Sequence, residues 1–209
     1  MRAGGRVPDA DHSGGQCAIS LISLAFLKVG DHVLIPESVY TQNRNFAVEV
    51  LRRFGVEVGF YAPEAGAEIQ RLFRENTRMV WCESPGSITL EVQDVPSIAA
   101  AAHRAGVMIA LDNTWSAGVY FDAFVHGVDV TMQALTKYAG GHSDLLLGSI
   151  TTREETAWRQ LGNTQQVVGC AASPADCSLA LRGLKTLAVR LKAIEEVDFS
   201  ALAERASRN

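Results

Sequence analysis

Lysine is scarce in this chain. Only four of its 19 lysine and arginine residues are lysine: Lys28, Lys137, Lys185 and Lys192. One of them, Lys137, closes an apolar run, ALTKYAGGHSD, and so needs a reason. Cysteine is scarce too. Cys17, Cys82, Cys170 and Cys177 form no CxxC pair. That excludes a disulfide framework or a cysteine zinc site and makes them buried small hydrophobes in a reducing cytosol. His12, His32, His103 and His126 have no ligand spacing, so no metal is expected. No positive excess exists: the net charge is −4 and the pI about 5.7, which argues against a nucleic-acid partner. The longest mainly apolar run, Cys17 to Leu27, falls short of the ~20 residues that span a bilayer. The opening MRAGGRVPDADHSGG lacks a signal-peptide layout. The expectation is a cytoplasmic protein without a membrane partner. Internal repeats and low-complexity segments are also missing.

What is present is the patterning of an ordinary globular protein. The chain has 209 residues, 47% hydrophobic and 20% charged, enough for one large domain or two small ones. Short apolar runs at 32–36, 56–61, 78–83, 107–112, 129–135 and 145–151 predict strands, and their continuous apolarity fits burial on both faces, as in parallel sheets. Segments 16–28, 41–54, 65–74, 95–105 and 153–161 predict helices between them. This alternation predicts an α/β fold, a mainly parallel sheet with helices on both faces. After Ser173-Pro174 a long amphipathic stretch follows at helical spacing.

In such a sheet, ligands bind at the carboxyl ends of the strands. Asp112 ends VMIALD, Lys137 ends DVTMQAL, Tyr40 follows HVLIP, and Gly14-Gly15 open the first helix, where free N–H groups and the dipole suit an anion. Each has a plain alternative: Asp112 as a helix cap, Tyr40 as packing, the glycines as an ordinary helix start. Lys137 is harder to explain away. Lysine is almost never buried without a purpose, and burial makes its neutral amine available as a nucleophile. An amine, a carboxylate, a flat ring and an anion cradle together are what pyridoxal 5′-phosphate requires. Other polar and aromatic residues have structural readings: His142 after Gly-Gly as structural, Trp81 and Trp158 as packing, and the charges of Arg182 to Glu196 as a solvated helix face.

Long motifs then carry a resemblance. DNTWSAG (112–118), HGVDVTMQALTKYAGGHSDLLLGS (126–149), ESPGSITLEVQDVPSI (83–98), GDHVLIPESVY (30–40) and RGLKTLAVRL (182–191) occur in the order found in the Cys/Met-metabolism group of fold-type-I pyridoxal-phosphate enzymes, which the chain resembles. ESPGSITLEV and the tryptophan of DNTW are similar to its β-lyase branch. The resemblance implies that Lys137 forms an imine with the cofactor and then shuttles protons. It implies that Asp112 pairs with the pyridinium nitrogen and that Tyr40 stacks on the ring and assists exchange of the amines. Gly15 and Gln16 would offer backbone N–H groups, and Thr136 a hydroxyl, to the phosphate. The implied activity is that of a carbon–sulfur lyase on a small amino-acid thioether: α,β-elimination of cystathionine to homocysteine, pyruvate and ammonia, in methionine biosynthesis and trans-sulfuration. A γ-lyase, a γ-synthase or an inactive fragment stand as alternatives.

The resemblance divides the chain into an atypical segment 1–13, a cofactor-binding large domain 14–173, and a long helix 174–209 leading toward a small C-terminal domain that is missing. An N-terminal arm is missing as well, so the chain reads as truncated at both ends. The family assembly, a tetramer, is expected of the full-length protein. Two local departures stand out. Gly14 occupies the place where the family has serine in its anion cradle, with Ser13 one place early. Ala134 offers no hydroxyl three residues before the lysine.

Overall fold

The strands and helices come from a computed structural model, which describes residues 10–12 and 14–206. Strands β1 (Ala10–His12), β2 (His32–Pro36), β3 (Glu57–Tyr61), β4 (Thr77–Glu83), β5 (Met108–Asp112), β6 (Val130–Ala134) and β7 (Gly148–Thr152) make one sheet in the order β1-β7-β6-β5-β4-β2-β3. The five strands from β2 to β6 are parallel. β7 departs from the parallel expectation for 145–151: it runs antiparallel to β6, and β1 antiparallel to β7. The reason lies in the connection. A parallel return needs a crossover, usually a helix, whereas residues 135–147 form turns and no helix. β1 escaped the sequence reading because three residues carry no periodicity. The other residues of the expected N-terminal segment, 1–9 and 13, lie outside the described residues.

Helices α1 (Gly14–Phe26), α2 (Thr41–Phe46), α3 (Val95–Arg104), α4 (Glu155–Val168), α5 (Pro174–Leu184) and α6 (Leu187–Ala206) flank the sheet. Their ends follow cap chemistry. The Asp94 carboxylate accepts from Ser97 N at 3.1 Å at the start of α3, and Ser173 Oγ accepts from Asp176 N at 3.0 Å at the start of α5. α4 runs past the expected residue 161 and stops at Gly169, which takes the left-handed conformation at φ 74°. Three expected helices are altered. Segment 41–54 is α2 followed by a π-helical turn (Ala47–Leu51) and a 3₁₀ turn (Arg52–Phe54). Segment 65–74 is 3₁₀ turns over Pro63–Leu72, kinked at Gly66 (φ 49°, ψ −134°). The stretch after Ser173 is two helices, α5 and α6, with Lys185 and Thr186 between them.

The strands bury both faces by their period of two. Met79 and Trp81 of β4 and Ala110 of β5 join Ile19 and Ile22 of α1 in one core. Val80 and Cys82, with Ile109 and Leu111, join Ile98 and Ala102 of α3 in the other. A smaller cluster seats Ala180 of α5 on Leu145 and Leu147. The cysteines are only partly as expected: Cys82 is buried, the other three are half-buried, and none of the four is in a disulfide. Burial pushes the Cys82 thiol up to about 12, so it is inert at neutral pH.

Candidate functional site

The carboxyl ends of β2, β4, β5 and β6 lie on one edge of the sheet, and the expected site residues follow from them. Tyr40 comes four residues after β2 and immediately before α2. Asp112 is the last residue of β5 and is buried. Lys137 comes three residues after β6, its backbone N–H donating to Ala134 O at 3.0 Å. It is therefore not the end of a buried strand, as its apolar run suggested. The run ends at Ala134, and Lys137 sits exposed on the turn beyond it. Its Nζ lies 5.8 Å from the centroid of the Tyr40 ring. It also lines an open depression of about 630 Å³ shared with Tyr138, Ser143 and Arg190.

Asp112 is anchored by a short relay. Its Oδ1 accepts from Thr114 N at 3.0 Å and from Thr114 Oγ1 at 2.5 Å, and Thr114 Oγ1 accepts from Ala134 N at 2.9 Å. The relay ties the end of β5 to the end of β6, and so sets the carboxylate relative to the turn that carries Lys137. Burial raises the Asp112 carboxyl above the usual range, while the Thr114 hydrogen bonds and then the Lys137 charge pull it back.

Gly15 and Gln16 occupy the first turn of α1, where backbone N–H groups have no partner within the helix. That turn presses on the end of β6: a Cβ on Gly15 would sit 2.9 Å from the Ala134 Cβ. The Gln16 side chain donates to Ser20 Oγ at 3.5 Å, and its Oε1 is buried without a partner. Thr136 uses its hydroxyl locally. It accepts from Leu147 N at 3.1 Å and donates to Leu147 O at 3.3 Å, closing the base of the turn. The His142 ring nitrogen Nδ1 hydrogen-bonds the Gly140 carbonyl at 2.7 Å.

The sequence reading missed Glu83. It is the last residue of β4, 1% exposed, and the register partner of Asp112. Its Oε2 accepts from Tyr40 N at 2.9 Å. Burial and the neighbouring Asp112 charge raise its carboxyl to about 7 against the opposing pull of Ser87, Tyr40 N and Lys137. The signal was available: TRMVWCE closes an apolar run on an acid just as VMIALD does.

An amine beside an aromatic ring, a buried carboxylate roped to the same turn, and the N-terminal turn of α1 packed on the same strand end form a donor set that fits pyridoxal 5′-phosphate. Among the described residues, no cluster of histidine, cysteine and acidic residues suits a metal ion. No helix among them is long and apolar enough to cross a membrane.

Comparison with known proteins points to the same cofactor. The family model for Cys/Met metabolism PLP-dependent enzymes matches residues 9–204. A provisionally named cystathionine β-lyase of Rhizobium johnstonii is 46% identical over 178 residues, covering 85% of this chain and 45% of that protein. The cystathionine β-lyase MetC of Escherichia coli is 40% identical over 180 residues, with coverage of 85% and 45%. Among solved structures, the cystathionine γ-lyase of Lactobacillus plantarum complexed with L-serine superposes with a TM-score of 0.84 at 25% identity, covering 87% of this chain and 47% of that one. The chain spans about half the length of the relatives it matches. It belongs to the Cys/Met metabolism PLP-dependent enzyme family, and its fold is that of the family's cofactor-binding α/β domain.

Proposed function

We propose, on the premise of that family membership, that this chain carries the cofactor-binding part of a carbon–sulfur lyase that cleaves cystathionine by α,β-elimination to homocysteine, pyruvate and ammonia. The observation that carries the reading is the convergence of Lys137, Tyr40 and Asp112 at one edge of the sheet. When bound, pyridoxal phosphate supplies an electron sink for charge that develops at the substrate α-carbon. Lys137 would hold the cofactor through Nζ, and the same atom would accept the substrate α-proton. The Asp112 carboxylate would hold a proton on the ring nitrogen, and Tyr40 would offer its ring as a flat stacking surface. The Gly15 and Gln16 backbone N–H groups would bind the phosphate, and the Thr136 hydroxyl would join them only by exchanging its bond to Leu147 O for one to the phosphate; the protein works in the cytoplasm as a homo-oligomer.

The β-lyase names of the relatives support β-elimination over the alternative. A γ-lyase is the second reading, supported by the Lactobacillus plantarum structure. Product analysis separates them. With pyridoxal phosphate and cystathionine, the β-lyase reading expects pyruvate with homocysteine. Cysteine with 2-oxobutyrate would mark γ-elimination, and no keto acid at all would remove the activity from this chain.

A further inference from the structure

We propose that Glu83 is a positioning residue of the Lys137 site: it seats Tyr40 through the backbone and, together with Asp112, sets the charge that the Lys137 amine experiences. The inference rests on reading Lys137 as the reactive amine.

The geometry begins with register. β4 and β5 are parallel neighbours, and Glu83 pairs with Asp112 as the last residue of each strand. Both carboxylates are buried, at 1% and 7% exposure. None of the ion pairs among the described residues includes either of them. Two buried carboxylates side by side repel, so the second charge is costly unless a cation faces it. Lys137 acts on both.

Glu83 is also held rigidly. Its N–H donates to Gln93 Oε1 at 2.8 Å, Gln93 Nε2 donates to the Tyr61 hydroxyl at 3.0 Å, and that hydroxyl donates to Trp81 O at 2.7 Å. A strand-end acid with no further task does not need its backbone clamped from behind while its carboxylate reaches across to Tyr40 N. That last bond fixes the start of α2 and hence the ring that stands 5.8 Å from Lys137 Nζ.

The groups facing Glu83 are Asp112 from β5, Lys137 from the turn after β6, Tyr61 from β3, and Ser87 with the Tyr40 backbone from the loops. Neutral Glu83 leaves the site with the Asp112 carboxylate alone; ionised Glu83 adds a second negative charge to it. Glu83→Gln keeps an acceptor for Tyr40 N and removes only the charge.

The test is trace reductive methylation of the full chain with formaldehyde and cyanoborohydride across pH, without cofactor. Peptide mass spectrometry reads the rate at Lys137, with exposed Lys185 as internal reference. The expected result is a Lys137-to-Lys185 ratio equal in wild type and Glu83→Gln at pH ~5.5, and about 3–10-fold higher in the variant above pH ~8. Superimposable profiles would overturn the proposal. The wild type provides a second reading should the variant not fold: its ratio inflects near pH 7, where Glu83 titrates, and a profile without that inflection also contradicts the proposal. Because no cofactor is added, failure here is distinct from failure of the cofactor reading, which shows as a missing visible absorbance when pyridoxal phosphate is supplied.

Discussion

Tyr40 shows how a single residue in this site divides into ring and hydroxyl. It is about one-third exposed, its ring is the group beside Lys137, and no side-chain cap ties it to α2. The stacking role proposed for it would therefore depend on the ring. Tyr40→Phe is expected to hold pyridoxal phosphate about as tightly as wild type. Tyr40→Ala is expected to bind it roughly tenfold more weakly, the ~1.4 kcal/mol that an aromatic contact supplies. A spectroscopic titration with cofactor measures both, and equal loss in the two variants would point to the hydroxyl instead. The same scale shows what was legible in sequence. Lys137 and Asp112 stood out because a charge closing an apolar run has few structural explanations. Glu83 closes such a run too, but its meaning depends on which strand lies beside β4, and that is a fact of topology. Lys137 itself was placed at a buried strand end because apolar Leu135 extends the run, while the ladder stops at Ala134.

At the scale of elements, the site edge is built by close approach between α1 and the antiparallel pair β6–β7. Gly148 opens β7 directly against the start of α1: a Cβ there would lie 2.5 Å from Gly14 O. Gly148→Ala must push the helix start away and is expected to cost about 1–3 kcal/mol, the range for overpacking. Gly162 in α4 offers the contrast, since nothing lies within 4 Å of its would-be Cβ. Gly162→Ala should stabilise by about 1 kcal/mol through helix propensity alone. Denaturant midpoints of the two variants should move in opposite directions. Arg190 of α6 is a third link. Its guanidinium donates to Tyr138 O at 2.6 Å and to Gly183 O at 2.8 Å, joining the lysine turn to the α5–α6 junction. Arg190→Ala should speed amide exchange in 138–141, and unchanged protection there would show that the turn holds itself. Helix and strand positions were largely readable from period and cap chemistry. The π and 3₁₀ turns were not, because apolar spacing at 41–54 and 65–74 cannot distinguish hydrogen-bonding patterns that place side chains on nearly the same face.

For the molecule as a whole, the site carries a stability cost that depends on pH. In the fold Glu83 holds its proton up to about pH 7, whereas its ordinary value is 4.5. Between those values the folded chain binds more protons than the unfolded one, so stability falls as pH rises through this window. The cost is complete above about pH 7 and is at most about 3 kcal/mol. Asp112, also raised by burial, acts in the same direction. Unfolding in urea at pH 5 and pH 8 should show wild type losing more stability than Glu83→Gln on going to the higher pH; parallel losses would mean that Glu83 ionises as freely in the fold as outside it.

The architecture follows from the strand order. The parallel strands β4, β5 and β6 bring Glu83, Asp112 and the Lys137 turn to one edge, and the antiparallel β7 returns the chain to α1. The α/β alternation was visible in sequence. The reversal at β7 was not, since an apolar run does not reveal its direction.

Whether this chain builds a working cofactor site around Lys137 is measured most directly by the visible absorbance of the purified chain with pyridoxal phosphate, beside Lys137→Ala. A visible band in the wild type that is lost in the variant, and trapped by borohydride on the peptide containing Lys137, is the predicted result. A colourless wild type, or a band that survives Lys137→Ala, would contradict it.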